Sequence, residues 1–125
     1  MASLNPTPTV IIAGKGLTIT KTTDHPAGVL RGGGFDPDTN SLYLGGGVGH
    51  PRGVAAAGGD PSHPHIAGVT IFEREDGAVF WANDSFSLPR KLTGQEVVAV
   101  QQALEQAFAG KPVNQLGRIS DVPMN

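Results

Sequence analysis

Residues 93–110, TGQEVVAVQQALEQAFAG, carry the strongest folding signal in this chain. Thr93 is placed to cap a helix: its hydroxyl can accept from the Glu96 N–H, and the Glu96 carboxylate can reach back to the Thr93 N–H. Leu92 and Val97 stand where a hydrophobic staple falls. Val97, Val100, Leu104, Ala107 and Phe108 form one apolar stripe, opposite Gln101, Gln102, Glu105 and Gln106. Gly110 suits the residue just past a helix, and Pro112 stops any continuation. The result is an amphipathic helix of about four turns, and its apolar face needs a sheet or another helix to lie on.

The rest of the chain predicts a sheet. Val10-Ile11-Ile12-Ala13 and Leu17–Thr22 are β-branched runs, readable as a hairpin across Gly14-Lys15-Gly16. Val29-Leu30-Arg31 precedes three glycines and Phe35. The turn Asp36-Pro37-Asp38-Thr39-Asn40 then leads into Ser41-Leu42-Tyr43-Leu44. Val69–Glu75 and Ala78–Asn83 flank Asp76-Gly77, which suits a two-residue type I′ turn. That register sets Phe72 opposite Trp81 and Glu73 opposite Phe80, with aromatics on both faces of the ribbon. The expected fold class is α+β: small antiparallel β-sheet(s) of about six short strands, with the C-terminal helix packed on a face.

Glycine and proline set the rest. The chain has 18 glycines and 10 prolines among 125 residues, so loops must be numerous. One domain is expected, with residues 1–9 as an extended arm, 45–68 as a Gly/Pro/His-rich loop and 111–125 as a C-terminal tail. Within the loop, only Val54–Ala57 reads as a turn of helix. The start MASLNPTPTVIIAG lacks the basic and apolar regions of a signal peptide, and no run is long enough to cross a membrane. A cytoplasmic protein is the default expectation, with packaging in a particle or export without a signal left open.

A formal charge of −2 with scattered basic residues argues against nucleic acid as a partner. The absence of cysteine removes disulfides, thiolate nucleophiles and Cys-based metal sites. What remains is imidazole and carboxylate chemistry, concentrated in GHPRGVAAAGGDPSHPH, which holds His50, His63 and His65. Each of His25, His50 and His63 precedes proline, which biases it to extended backbone. His63 and His65 share one side of an extended segment, a spacing suited to two ligands of one ion, with His50 or Asp60 as a third. Alternatively, one histidine is a general acid–base, oriented by Asp60 or Asp84.

Three further motifs stop short. Asp36-x-Asp38-x-Asn40 begins like a calcium loop, but the twelfth position is Gly47, where a bidentate Glu is needed. Gly45–Gly49 follows a strand without the Gly-Lys-Ser/Thr of a phosphate loop. Ser85 and Ser87 lack a nucleophile elbow. The leading expectation is therefore a non-enzymatic interaction or assembly module, the subunit of a homo-oligomer or larger particle. Its partner would be protein, met by the arm and by a surface of Phe72, Phe80 and Trp81, with no cofactor. The alternative is a small effector-type enzyme (hydrolase, nuclease or transferase), or a metal-binding domain using the His50–His65 loop with a divalent transition metal such as zinc.

Overall fold

Strand β3 (Gly28–Asp36) is the longest element of the sheet, and three strands pair with it. In the computed structural model, which describes residues 6–46, 49–84 and 88–125, β5 (Ala67–Arg74) runs antiparallel along its whole length. The pairing extends from Gly28↔Arg74 to Phe35↔Ala67. The opposite edge of β3 is shared between β2 (Leu17–Ile19) and β4 (Ser41–Leu44). Outside β4 lies β1 (Thr9–Ile12), and outside β5 lie β6 (Val79–Ala82) and β7 (Val113–Leu116). Among the described residues the sheet has seven strands, in the order β1-β4-β3-β5-β6-β7 with β2 on β3. Helix α1 (His50–Ala56), helix α2 (Gly94–Ala107) and a 3-10 turn (Ile119–Asp121) complete the chain.

The α+β class holds, but the sheet is mixed: β1 is parallel to β4, and β7 is parallel to β6. Two local pairings differ from the sequence reading. β1 and β2 form no hairpin, because each pairs with a different neighbour, and Arg31 holds the connection between them by donating to the carbonyls of Ala13 and Gly14. The β5–β6 loop has three residues, Glu75-Asp76-Gly77, with Arg74 N–H bonded to Ala78 O and Gly77 at φ 96°. The Asp76 carboxylate accepts from Arg74 and from the Ala78 N–H, and those bonds favour the longer turn. The register shifts accordingly, setting Phe72 opposite Phe80 and Ile71 opposite Trp81.

The period-2 alternation of each strand sorts its side chains to two faces. On one, Val69, Ile71, Val79, Trp81, Leu42 and Leu44 pack with Val100 and Leu104 of α2 and with Phe108 at its C-terminal cap. The helix begins at the expected capping box on Thr93, and Gln101 accepts from the Trp81 indole N–H at 2.6 Å. On the other face, Tyr43, Ile66 and Leu88 meet Val54 of α1 and Ala57 at its C-terminal cap. Further along that face, Phe72 and Phe80 are covered by Val122, with Ile119 and Leu116 beside them. Residues 111–125 thus supply a strand and a lid to the core rather than a free tail. Phe72, Phe80 and Trp81 are 1%, 5% and 0% exposed, so the chain itself covers the aromatics expected to meet a partner. Residues 1–5 of the expected arm lie outside the described residues.

Helix α1 lies where the sequence predicts a long loop. Pro51 is tolerated because its missing N–H falls in the first turn, where helical N–H groups have no intrahelical partner. Packing supplies what propensity does not. A Cβ on Gly53 would overlap the Gly32 carbonyl, and one on Gly45 would overlap the Gly53 carbonyl. The helix therefore rests on strand backbone with no side-chain layer between. Gly53→Ala is expected to cost about 3 kcal/mol or more, lowering the melting temperature by roughly 10 °C. Gly94→Ala, in open space at the start of α2, should stay within about 0.5 kcal/mol of the parent. Equal melting temperatures for the two variants in calorimetry would refute the backbone contact.

Candidate functional site

The histidines of the central segment divide between two places. His50, the first residue of α1, is 3% exposed and lies in the core. Its Nε2 stands 2.8 Å from Thr70 Oγ1 on β5 and 2.9 Å from Asp84 Oδ1, just beyond β6. Thr70 Oγ1 also donates to Asp84 Oδ1 at 2.9 Å. A hydroxyl has one hydrogen, here given to Asp84, so toward His50 it can only accept. His50 Nε2 therefore carries a hydrogen directed at both oxygens. Asp84 was one of two carboxylates expected to orient a histidine, and it is the one that does so for His50.

His63 and His65 form a second cluster on the loop that leads into β5. Their rings meet edge to face with centroids 5.5 Å apart. The third member is Asp38 from the β3–β4 turn. Its Oδ2 is 3.1 Å from His63 Nε2 and 3.0 Å from His65 Nδ1. The sheet register brings them together. Phe35↔Ala67 is the last pair of β3 and β5, so the segments leaving that end of the ladder, 36–38 and 63–66, emerge side by side. Neither His50 nor Asp60 supplies the third group. Asp60 turns back on its own loop, accepting from Ser62 Oγ at 2.6 Å and Ser62 N–H at 2.9 Å. Those hydrogen bonds from Ser62 hold its carboxyl below the ordinary aspartate range.

Asp36 stands behind the cluster. It is 3% exposed, and its Oδ1 accepts from the Asp38 N–H and lies 3.7 Å from His63 Nδ1. The Asp36–Asn40 segment is thus the turn the sequence predicts, and the Asn40 side chain faces the arm, donating to Pro6 O. It is also the source of a candidate ligand, which the ordinary-turn reading missed. His25 belongs to neither group and packs edge-on against Phe72. Gly47, Val48 and Ser85–Ser87, on which parts of the calcium, phosphate-loop and serine readings depend, lie outside the described residues.

Arg90 anchors the histidine loop. Its Nε and one terminal nitrogen donate to His65 O at 3.0 and 2.6 Å, while its two terminal nitrogens grip Glu96 at 2.5 and 2.8 Å. One guanidinium thus ties the loop to the first turn of α2. The Arg90 hydrogen bonds, helped by the Thr93 N–H, push the Glu96 carboxyl below its ordinary value. A depressed carboxyl pKa contributes stability that is present above the unfolded pKa and is lost as pH falls through the folded one. Glu96→Gln keeps a capping-box partner but loses the ion pair. It should cost about 1–2 kcal/mol at pH 7, with the difference from the parent shrinking below about pH 4. Urea unfolding at the two pH values tests this, and a pH-independent difference would rule it out.

No family model matches this chain, and neither a curated protein nor a solved structure is significantly similar to it.

Proposed function

We propose that this chain is a binding domain for a divalent transition metal, held by Asp38 Oδ2, His63 Nε2 and His65 Nδ1. The observation that carries the reading is the convergence of one ligand atom from each of these residues within 4.8 Å of one another. A tetrahedral ion with bonds of about 2.0–2.1 Å needs neighbouring donors about 3.3 Å apart. The two Asp38–histidine separations, 3.1 and 3.0 Å, lie close to that value. Two imidazoles and one carboxylate suit zinc, iron(II) or nickel, whereas calcium requires six or more oxygens.

The surroundings favour an open site. The side chains of Asp38 and His65 are 51% and 63% exposed, which leaves room outward for water or another ligand in the remaining positions. In the free protein His63 Nδ1 accepts from the His65 N–H at 3.4 Å, so metal on Nε2 moves the ring proton to Nδ1, which lies 3.7 Å from Asp36 Oδ1. The Asp36 carboxylate would then receive that proton and hold the ring in the metal-binding tautomer.

Isothermal titration with zinc is expected to show one site per chain. His63→Ala should weaken it by about 100-fold and Asp36→Asn by about tenfold, while Asp60→Asn leaves it unchanged. A parent protein that takes up no zinc, or a His63→Ala protein that binds equally well, would remove this reading.

The assembly reading keeps a narrower support. Among the described residues, β1 and β7 each pair with one neighbour, and Ile12 on β1 is 43% exposed. Association through a free edge would appear in light scattering as a mass that rises with concentration and does not respond to His63→Ala.

A further inference from the structure

The His50–Thr70–Asp84 group is used by neither reading, and it borders a cleft. A concavity of about 530 Å³ is lined by Asn83, Asp84, Lys91, Arg118 and Ser120, with Gly117 and Ile119 completing the wall. Such a volume is within the range of small-molecule sites. The cleft is built by three segments: the end of β6, the approach to α2, and the C-terminal stretch that Val122 fastens to the core. Asn83 braces two of them, exchanging hydrogen bonds with the backbone of Leu92.

Asp84 links the buried group to the cleft. Both of its bonds to described residues fall on Oδ1, from Thr70 and His50. Among those residues Oδ2 has no partner, and the side chain is 19% exposed in the cleft wall. A carboxylate held on one oxygen by buried donors is an oriented acceptor at the other. The same cleft is lined by two cations, Lys91 and Arg118, and by Ser120. Among the described residues Arg118 pairs with Asp121 alone, through an exposed pair at 3.3 Å, of a kind that contributes little in water and yields to a competing anion.

These charges select a ligand. The two cations attract a carboxylate, and Asp84 repels one unless a hydrogen-bond donor lies next to it. We infer that the cleft binds a small carboxylate carrying an adjacent hydroxyl or ammonium group. The carboxylate pairs with Lys91 and Arg118, and the donor is received by Asp84 Oδ2. The site is separate from the proposed metal ligands and stands or falls without them.

Glycerate and serine are the probes, with propionate (no donor) and glycerol (no carboxylate) as controls, followed by amide chemical shifts in NMR. The expected result is saturable movement of the Asn83, Asp84, Lys91 and Gly117–Ser120 amides by glycerate or serine, with a Kd on the order of 1 mM. Which probe acts identifies the donor as hydroxyl or ammonium. Propionate and glycerol should be at least about tenfold weaker, the value of one charged hydrogen bond. Asp84→Asn keeps an oxygen for His50 and Thr70 but turns the other end into a donor, and should weaken binding about tenfold. Lys91→Met, on an exposed side chain, tests the carboxylate end without touching the buried group and should also weaken binding. The inference is overturned if no probe moves these amides, if propionate binds as well as glycerate, or if Lys91→Met leaves the Kd unchanged. Zinc binding in the Lys91→Met protein should equal that of the parent, which keeps failure here distinct from failure of the metal reading.

Discussion

The contact between the backbones of α1 and β3 governs the α1 face of the sheet. A helix normally stands about 10 Å from a sheet, separated by interleaved side chains. Here Gly53 meets the Gly32 carbonyl directly, and Gly45 fits against Gly53. Three consecutive glycines in β3 carry an entropic cost of about 0.5–1 kcal/mol each relative to alanine. The strand tolerates that cost because both of its edges are paired. The close seating gives His50 its reach. Thr70 is the β5 partner of Gly32, so an imidazole at the first residue of α1 meets it across a position that has no side chain of its own. A helix held one side-chain layer further out would leave that imidazole short of β5.

How much of this was legible follows from how local each signal is. The α2 cap, stripe and stop are all written within eighteen residues of one another, and the helix starts at the predicted cap and ends at Ala107, with Phe108 as its C-cap two residues short of Gly110. The turn at Asp36–Asn40 is equally local. The parallel pairings of β1 with β4 and of β7 with β6 join segments far apart in sequence, and periodicity within a strand does not name its partner. Helix α1 was hidden for a different reason. His50-Pro51-Arg52-Gly53 has poor helix propensity, and two turns of helix are not stable alone. Its stability comes from a surface that exists only after β3 and β4 have paired.

The candidate site divides along the same line. The spacing of His63 and His65 was visible, since two residues of one extended segment face one way. Asp38 was not, because it reaches them only through the register that ends β3 and β5 at Phe35↔Ala67. Thr70 had no signal at all. A β-branched residue inside a β-branched strand reads as sheet filler, and only the fold shows its hydroxyl between a carboxylate and an imidazole.

The two histidine clusters also differ in what their surroundings permit. His63 and His65 lie in water-accessible loops, where exchanging a hydrogen bond to Asp38 for a metal bond needs little rearrangement. His50 is 3% exposed. Burying an imidazole, a hydroxyl and a carboxylate together requires each to be desolvated, and apolar residues of similar volume at such positions are often neutral or stabilising. The fold keeps the polar trio all the same, and one member of it opens to the cleft. Stability alone does not account for a carboxylate bonded on one oxygen to a buried histidine and threonine while its residue lines a concavity shared with Lys91 and Arg118. The ligand inferred for the cleft would.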